Sequence, residues 1–259
     1  MVVEEEAVYT GEMKEVTVAN GVRKMVQHGK GQQTWRDGAC YNGEWRHGKA
    51  EGKGEFRHAN KDQYKGDFKN DQASGYGVYV HENGQKYEGE WLNDVQHGQG
   101  TETLQDGSMF TGTYVNGEKS GHGEFKWADG SVYNGQWLKD NLHGKGEYKW
   151  PDGRRYVGDW KENMLHGKGT YFWTDGKIYE GDYFNDKKHG HGVCTWPDGK
   201  KYDGMWKDGK QHGEATFTNA KGKSRVGLWE YGERKMWITN ISTKDNNSLG
   251  LGTTLDGEN

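Results

Sequence analysis

Residues 156–169 read Tyr156-Val157-Gly158-Asp159-Trp160-Lys161-Glu162-Asn163-Met164-Leu165-His166-Gly167-Lys168-Gly169. An aromatic, any residue, Gly, any residue and a second aromatic are followed by a polar stretch that ends in His-Gly-x-Gly. The unit recurs at a step of 23 residues. Its leading aromatic falls on Tyr41, Tyr64, Tyr87, Phe110, Tyr133, Tyr156, Tyr179 and Tyr202, and its Gly runs from Gly43 to Gly227. The second aromatic runs from Trp45 through Phe68, Trp91, Tyr114, Trp137, Trp160, Tyr183 and Trp206 to Trp229. A period this strict decides the architecture before any single residue does.

Between Tyr133 and Trp150, the residues Tyr133, Gly135 and Trp137 alternate with polar neighbours, and so do Gly146, Tyr148 and Trp150. Alternation with a period of two predicts two short strands per repeat. The polar run Leu138 to Gly144 reads as their hairpin loop. Pro151-Asp152-Gly153 then closes the repeat, and Asp-Gly predicts a tight turn with left-handed backbone angles. Asp106-Gly107, Asp129-Gly130, Asp175-Gly176 and Asp198-Gly199 keep the phase, with Asn83-Gly84 as a close variant.

A lone hairpin cannot bury its apolar face, so the repeats must stack side by side. The prediction is an all-β fold: an elongated, single-layer antiparallel sheet of hairpin repeats with a 23-residue period. At about 4.8 Å per strand, eight repeats would extend roughly 80 Å. Residues 41–224 hold the eight repeats, 1–40 a degenerate capping repeat, 225–239 a truncated capping repeat and 240–259 a polar tail. Both aromatics and the Gly of strand one share a face with the rings of strand two, and that face is the expected core. Gly leaves room for a ring from the adjacent strand to lie over its backbone.

Composition agrees with rings rather than aliphatic chains as the source of cohesion. Only 31% of the 259 residues are hydrophobic, yet 13% are aromatic, and 43 Gly accompany 2 Pro. Disordered segments are poor in aromatics, so this is an ordered repeat protein. The 35 basic and 39 acidic residues interleave to a net charge of -4, which gives no field to attract nucleic acid. No apolar run nears the roughly 18 residues of a membrane span, and Met1 to Glu6 is acidic where a signal peptide is basic. A soluble, intracellular protein is expected, and the two cysteines, Cys40 and Cys194, lie too far apart in a stack of strands to pair.

From Tyr41 to Trp229 the repeats, as in Tyr156 to Gly169, resemble the MORN repeat (membrane occupation and recognition nexus). Tyr9-Gly11-Met13 and His28-Gly29, Gly31, Trp35 resemble a further repeat split by about nine extra residues. Arg225 replaces the leading Tyr, Ala215 the second Gly of His-Gly-x-Gly, and Lys61 breaks the Asp-Gly turn. MORN proteins without a catalytic domain resemble cytoskeletal scaffolds, notably radial spoke head proteins of the axoneme. The resemblance thus implies a non-catalytic scaffold in the cytoplasm and cytoskeleton, at a cilium or flagellum axoneme. Its implied partners are axonemal or other cytoskeletal proteins, with homo-oligomers through open sheet edges. The alternative is an adaptor binding membrane phosphoinositides through Arg154-Arg155, Lys187-Lys188 and Lys200-Lys201, although flanking acids such as Asp152 and Asp203 reduce the potential there. A regulatory arm of an enzyme is a third reading.

No catalytic, cofactor-binding or metal-ligating residue is expected. His97, His143, His166, His189 and His212 recur once per repeat, about 10 Å apart for two strands, too far to share an ion. Gly144-Lys145-Gly146 recurs with the hairpin rather than at the start of a helix, so it is no phosphate cradle. One series stays open: Trp127, Trp150, Trp173 and Trp196, with Phe125, Tyr148, Tyr171 and Cys194 two residues earlier. Core stacking is the simpler reading. The sharper one is that a single-layer sheet leaves part of the ladder exposed, which makes Phe125, Trp127, Tyr148, Trp150, Tyr171, Trp173 and Trp196 partner-binding residues.

The packing reading predicts that Gly158→Val displaces rings on both sides of it. Thermal unfolding followed by circular dichroism should show a lowered midpoint, and an unchanged melt contradicts the packing.

Overall fold

The 23-residue step is the sum of a fixed internal division, seen in a computed structural model that describes residues 7–18 and 21–238. Seven residues (Arg155–Lys161) form a first strand, two (Glu162 and Asn163) a turn, and nine (Met164–Phe172) a second strand. Five more lead to the next strand at Ile178. The described residues form twenty strands and no helix, and the pairings are antiparallel between strands consecutive in the chain. The all-β hairpin-repeat sheet expected from the period is the fold observed. The polar tail at 240–259 lies outside the described residues.

Chain contacts divide the protein into two units, Met1–Ala128 with Trp137–Asp140, and Asp129–Gln136 with Asn141–Asn259. The first holds β1 (Val8–Thr17), β2 (Arg23–Thr34), β3 (Cys40–Arg46), β4 (Lys49–Arg57), β5 (Gln63–Lys69), β6 (Gln72–Val80), β7 (Lys86–Leu92), β8 (Val95–Thr103), β9 (Met109–Val115) and β10 (Glu118–Lys126). Residues of β11 (Val132–Leu138) are assigned to both. The second holds β12 (Asn141–Lys149), β13 (Arg155–Lys161), β14 (Met164–Phe172), β15 (Ile178–Phe184), β16 (Lys187–Thr195), β17 (Lys201–Lys207), β18 (Lys210–Thr218), β19 (Ser224–Glu230) and β20 (Glu233–Ile238). In the first hairpin the extra residues lengthen both strands, and Tyr9 still faces Gln33 and Gly11 faces Gly31.

The turns correct the sequence reading. The loop expected at Leu138 to Gly144 shrinks to Lys139 and Asp140, both with positive φ (49° and 64°), and Asn141 to Gly144 belong to β12. Two successive left-handed residues make the turn whose twist matches antiparallel strands. The Asp-Gly link has only its Gly left-handed, as at Gly153 (φ 91°). Gly153 donates its N–H to the Trp150 carbonyl and Trp150 donates to that of Arg154. This is a three-residue connection built on a type I turn, and Trp150 flanks it rather than ending a strand.

Second strands are longer because they carry a bulge. Gly158 pairs with Gly169 but Asp159 pairs with His166, so Gly167 and Lys168 are extra on the second strand. Gly167 takes φ 58°, and the Asp159 carboxylate accepts the Lys168 N–H at 2.9 Å. Asp67, Glu90, Gln136 and Asp182 accept the equivalent N–H in their repeats. A second clasp joins neighbouring repeats: Leu165 donates to Asp186 Oδ1 at 2.8 Å while the Asp186 N–H returns to the Leu165 carbonyl. Polar positions that look interchangeable in the sequence thus cap the N–H groups that the bulge and strand start leave over.

The leading Tyr of each repeat lies along its own strand, over its own Gly and the Gly paired with it. A Cβ built on Gly158 would stand 2.5 Å from Tyr156 Oη, and one on Gly169 2.2 Å from the same atom. The hydroxyl donates to the backbone carbonyl three residues on: Glu44 for Tyr41 (3.0 Å), Asp67 for Tyr64 (2.9 Å) and Asp159 for Tyr156 (3.0 Å). The ring over the glycines was expected from the adjacent strand. It comes from the same strand, at Phe110 as well, so the empty glycine pair seats the ring and the hydrogen bond, where a hydroxyl is present, only fastens it.

Lys61 does not break its turn. It occupies the Gly position with φ 73°, and its N–H still reaches the His58 carbonyl. A non-Gly residue there bears roughly 1–2 kcal/mol of steric strain, and its exposed ion pair with Glu82 offsets little of this. Lys61→Gly should therefore stabilise the protein by about 1 kcal/mol, read as a midpoint raised by about 2–4 °C in thermal unfolding; a lowered midpoint would show that the ion pair dominates.

Candidate functional site

Strand-one rings form the buried floor of the aromatic face. Tyr133, Tyr156, Tyr179 and Tyr202 are fully buried, and burial raises each phenol pKa, to about 12 at Tyr202. The rings meet edge to face in a zigzag: Tyr41–Phe68 (4.9 Å), Phe68–Tyr64 (5.1 Å) and Tyr64–Trp91 (5.2 Å) in the first unit. In the second, Tyr156–Tyr183 (5.4 Å), Tyr183–Tyr179 (5.3 Å) and Tyr179–Trp206 (5.2 Å) continue the pattern. Contacts of this geometry contribute about 0.5–1.5 kcal/mol beyond area burial. Trp indoles add a polar tie, since Trp160 Nε1 donates to the Gly146 carbonyl at 3.3 Å and Trp206 Nε1 to that of Gly192 at 3.0 Å.

The ladder sits above this floor. Phe125 and Tyr171 are buried, whereas Trp127, Tyr148, Trp150, Trp173 and Trp196 are half-buried. Tyr148, Trp150, Tyr171 and Trp173 form a run in the second unit, with centroid spacings of 4.5, 5.2 and 4.3 Å. Phe125 and Trp127 pair at 4.5 Å in the first. Trp196 stands apart, because Cys194, buried with its thiol pKa raised, takes the place of the neighbouring ring.

Cations punctuate the face, and the sequence reading missed them. Lys177 Nζ lies 4.2 Å from the Trp173 ring, and the Arg154 guanidinium 5.4 Å from Trp150. Lys188 Nζ is enclosed by Trp173 (4.8 Å), Tyr179 (4.9 Å) and Trp206 (4.7 Å), and this desolvation lowers its pKa. Its repeat equivalent Lys119 lies over Phe110 and Tyr114 and pairs with Glu102 at 2.7 Å. The Lys187-Lys188 doublet is therefore split by strand alternation, Lys187 exposed and Lys188 among rings. Arg155 turns to Glu147, Arg154 to Asp152, and Lys200 and Lys201 to Asp198 and Asp203. The signal was available in the repeat phase, since Lys119 and Lys188 alone bring a lysine to a position held elsewhere by Ala50, Ala73, Gln96, Leu142, Leu165 and Gln211.

The recurrent histidines lie in the second strands of their repeats, on the face opposite the rings. The His166 ring contacts Phe184 and that of His212 contacts Tyr231, while His191 Nε2 lies 3.0 Å from Asp203. Among the described residues no three His, Cys, Asp or Glu side chains converge as a metal site would require.

A family model described as MORN repeat matches residues 26–40, 41–63, 64–86, 87–109, 110–132, 133–154, 156–178, 179–201 and 202–224. No curated protein sequence matches the chain. Among solved structures, the chain is similar to the TCP10 domain of Danio rerio CPAP in complex with a peptide of Danio rerio STIL. The identity is 12%, covering 88% of this chain and 100% of that one, with a TM-score of 0.47. It is also similar to the SAS-4 (dCPAP) TCP domain of Drosophila melanogaster in complex with a proline-rich motif of Ana2. There the identity is 13%, over 75% of this chain and 90% of that one, with a TM-score of 0.34.

Lys188 yields a signed pH prediction. Its folded pKa lies below the ordinary lysine value, so the folded state releases its proton first and stability attributable to this group rises as pH climbs towards about 10.4. In chemical denaturation, the stability advantage of Lys188→Met over wild type should shrink between pH 7 and pH 10. An advantage that is constant or grows would contradict the placement of the ammonium among the rings.

Proposed function

The chain belongs to the MORN repeat family, and from that premise we propose that it is a non-catalytic scaffold, a protein-protein interaction platform in a cytoskeletal assembly. The observation that carries this reading is the run Tyr148, Trp150, Tyr171 and Trp173, in which the rings on either side of the buried Tyr171 stay half-exposed above a completed core. Trp127 and Trp196 extend the same role, with the buried Phe125 packed against Trp127 at 4.5 Å. Large half-exposed rings that the fold does not need for closure are the residue types that dominate protein interfaces. Residues 41–224 are the working repeats, with 1–40 and 225–239 as caps.

The assembly we favour is the ciliary axoneme, with the radial spoke head as the specific site. This rests on the resemblance to catalysis-free MORN scaffolds. Among the described residues β1 pairs only with β2, and β20 only with β19, so each presents an edge at which a further strand, including one from a second copy, can add. A phosphoinositide adaptor ranks second, because the basic doublets are divided between faces and engaged by acids.

Proximity labelling from the tagged protein in ciliated cells, beside sedimentation with anionic liposomes at physiological salt, separates the two. Axonemal proteins labelled by wild type and lost in Trp150→Ala/Trp173→Ala, without pelleting, is the expected outcome. Clear pelleting with labelling unaffected by the double variant overturns it in favour of the membrane reading.

A further inference from the structure

We propose that the slot beside Ala73 receives the lysine side chain of a partner protein. Ala73 is the repeat equivalent of Lys188, five steps earlier, and of Lys119, two steps earlier. Where the chain supplies its own lysine at 188, the ammonium sits within 5 Å of three rings, those of Trp173, Tyr179 and Trp206. At 73 the lysine is absent and the enclosure remains. His58, Tyr64 and Trp91 hold the positions of those three rings, and together with Phe56 and Tyr79 they line a pocket of about 270 Å³.

The pocket's charge suits the same guest. Asp71 and Asp94 line it, each accepting one backbone N–H at 2.7 Å, from Ala50 and Ala73. In the Lys188 slot the equivalent positions are Asp186 and Gly209, so the vacant slot has two carboxylates where the occupied one has one. Aromatic faces and carboxylates together recognise an ammonium better than an apolar side chain of the same length. The walls are held in place: Phe56–His58, His58–Tyr79 and Tyr79–Trp91 are spaced at 4.6, 5.8 and 6.1 Å, and Tyr79 Oη donates to Asp62 Oδ2 at 2.9 Å. Asp62 is kept ionised down to about pH 2, chiefly by the Glu82 backbone N–H, so that anchor persists at physiological pH.

The proposal deepens the scaffold reading by naming what a partner inserts, and its test needs no partner, so its failure leaves that reading standing. The indole N–H signal of Trp91, assigned with Trp91→Phe, is followed by NMR during titration with Nα-acetyl-lysine N-methylamide and with its isostere Nα-acetyl-norleucine N-methylamide. A saturable shift with the lysine compound, at least tenfold weaker with the norleucine compound, is expected. Ala73→Lys fills the slot from within and should lose the response, while Asp71→Asn/Asp94→Asn keeps both acceptors and should weaken it at least threefold. Equal responses to the two compounds, no saturable response in wild type, or a response that survives in Ala73→Lys overturns the assignment.

Discussion

A tyrosine ring laid flat across a pair of facing glycines is the contact on which the remaining structure depends. The ring can lie there only because neither strand has a side chain beneath it, and its hydroxyl anchors on the carbonyl three residues along. Once flat, its edge and faces meet the second aromatic of its own repeat and that of the next. One residue type at one position thus links strand pairing within a repeat to ring packing between repeats. Phe110 keeps the packing without the hydroxyl, and Ala215 shows that a facing pair admits one methyl, with Tyr202 still fully buried.

This arrangement explains why an aliphatic-poor chain can be ordered. Every repeat brings its own floor ring, and neighbours supply the walls, so cohesion accumulates along the chain rather than from one central core. It also separates two jobs on a single face. The floor is complete without the ladder, which leaves the half-buried indoles and the enclosed cations available to vary from repeat to repeat. Ala73, Lys119 and Lys188 are three solutions at one position: an open slot, a lysine paired with Glu102, and a lysine enclosed by three rings.

The fold was legible because periodicity needs only residue types. Strand pairs, the buried face and the Gly requirement all follow from Tyr-x-Gly-x-Trp at a 23-residue step. The turn assignment was not, because Lys139-Asp140 has no Gly to announce two left-handed residues, whereas Asp152-Gly153 has one and uses only one. The bulge was hidden for a similar reason: Asp159, Gln136 and Glu90 share a capping role that ordinary polar substitution conceals. At the candidate site the ladder could be listed from its phase, but its partial exposure depends on what the turns leave uncovered. Lys188 read as half of a surface doublet, and only strand alternation shows it turned inward.

The most direct measurement is a double-mutant cycle between Tyr156 and Gly169. Gly169 has an extended backbone that a β-branched residue can adopt, so its need for Gly comes from the ring alone. Gly169→Val should be strongly destabilising in wild type and nearly neutral beside Tyr156→Ala, with a coupling of about 2 kcal/mol by denaturant unfolding. Additive effects would contradict the account, because the glycine would then be required for some reason other than the tyrosine above it.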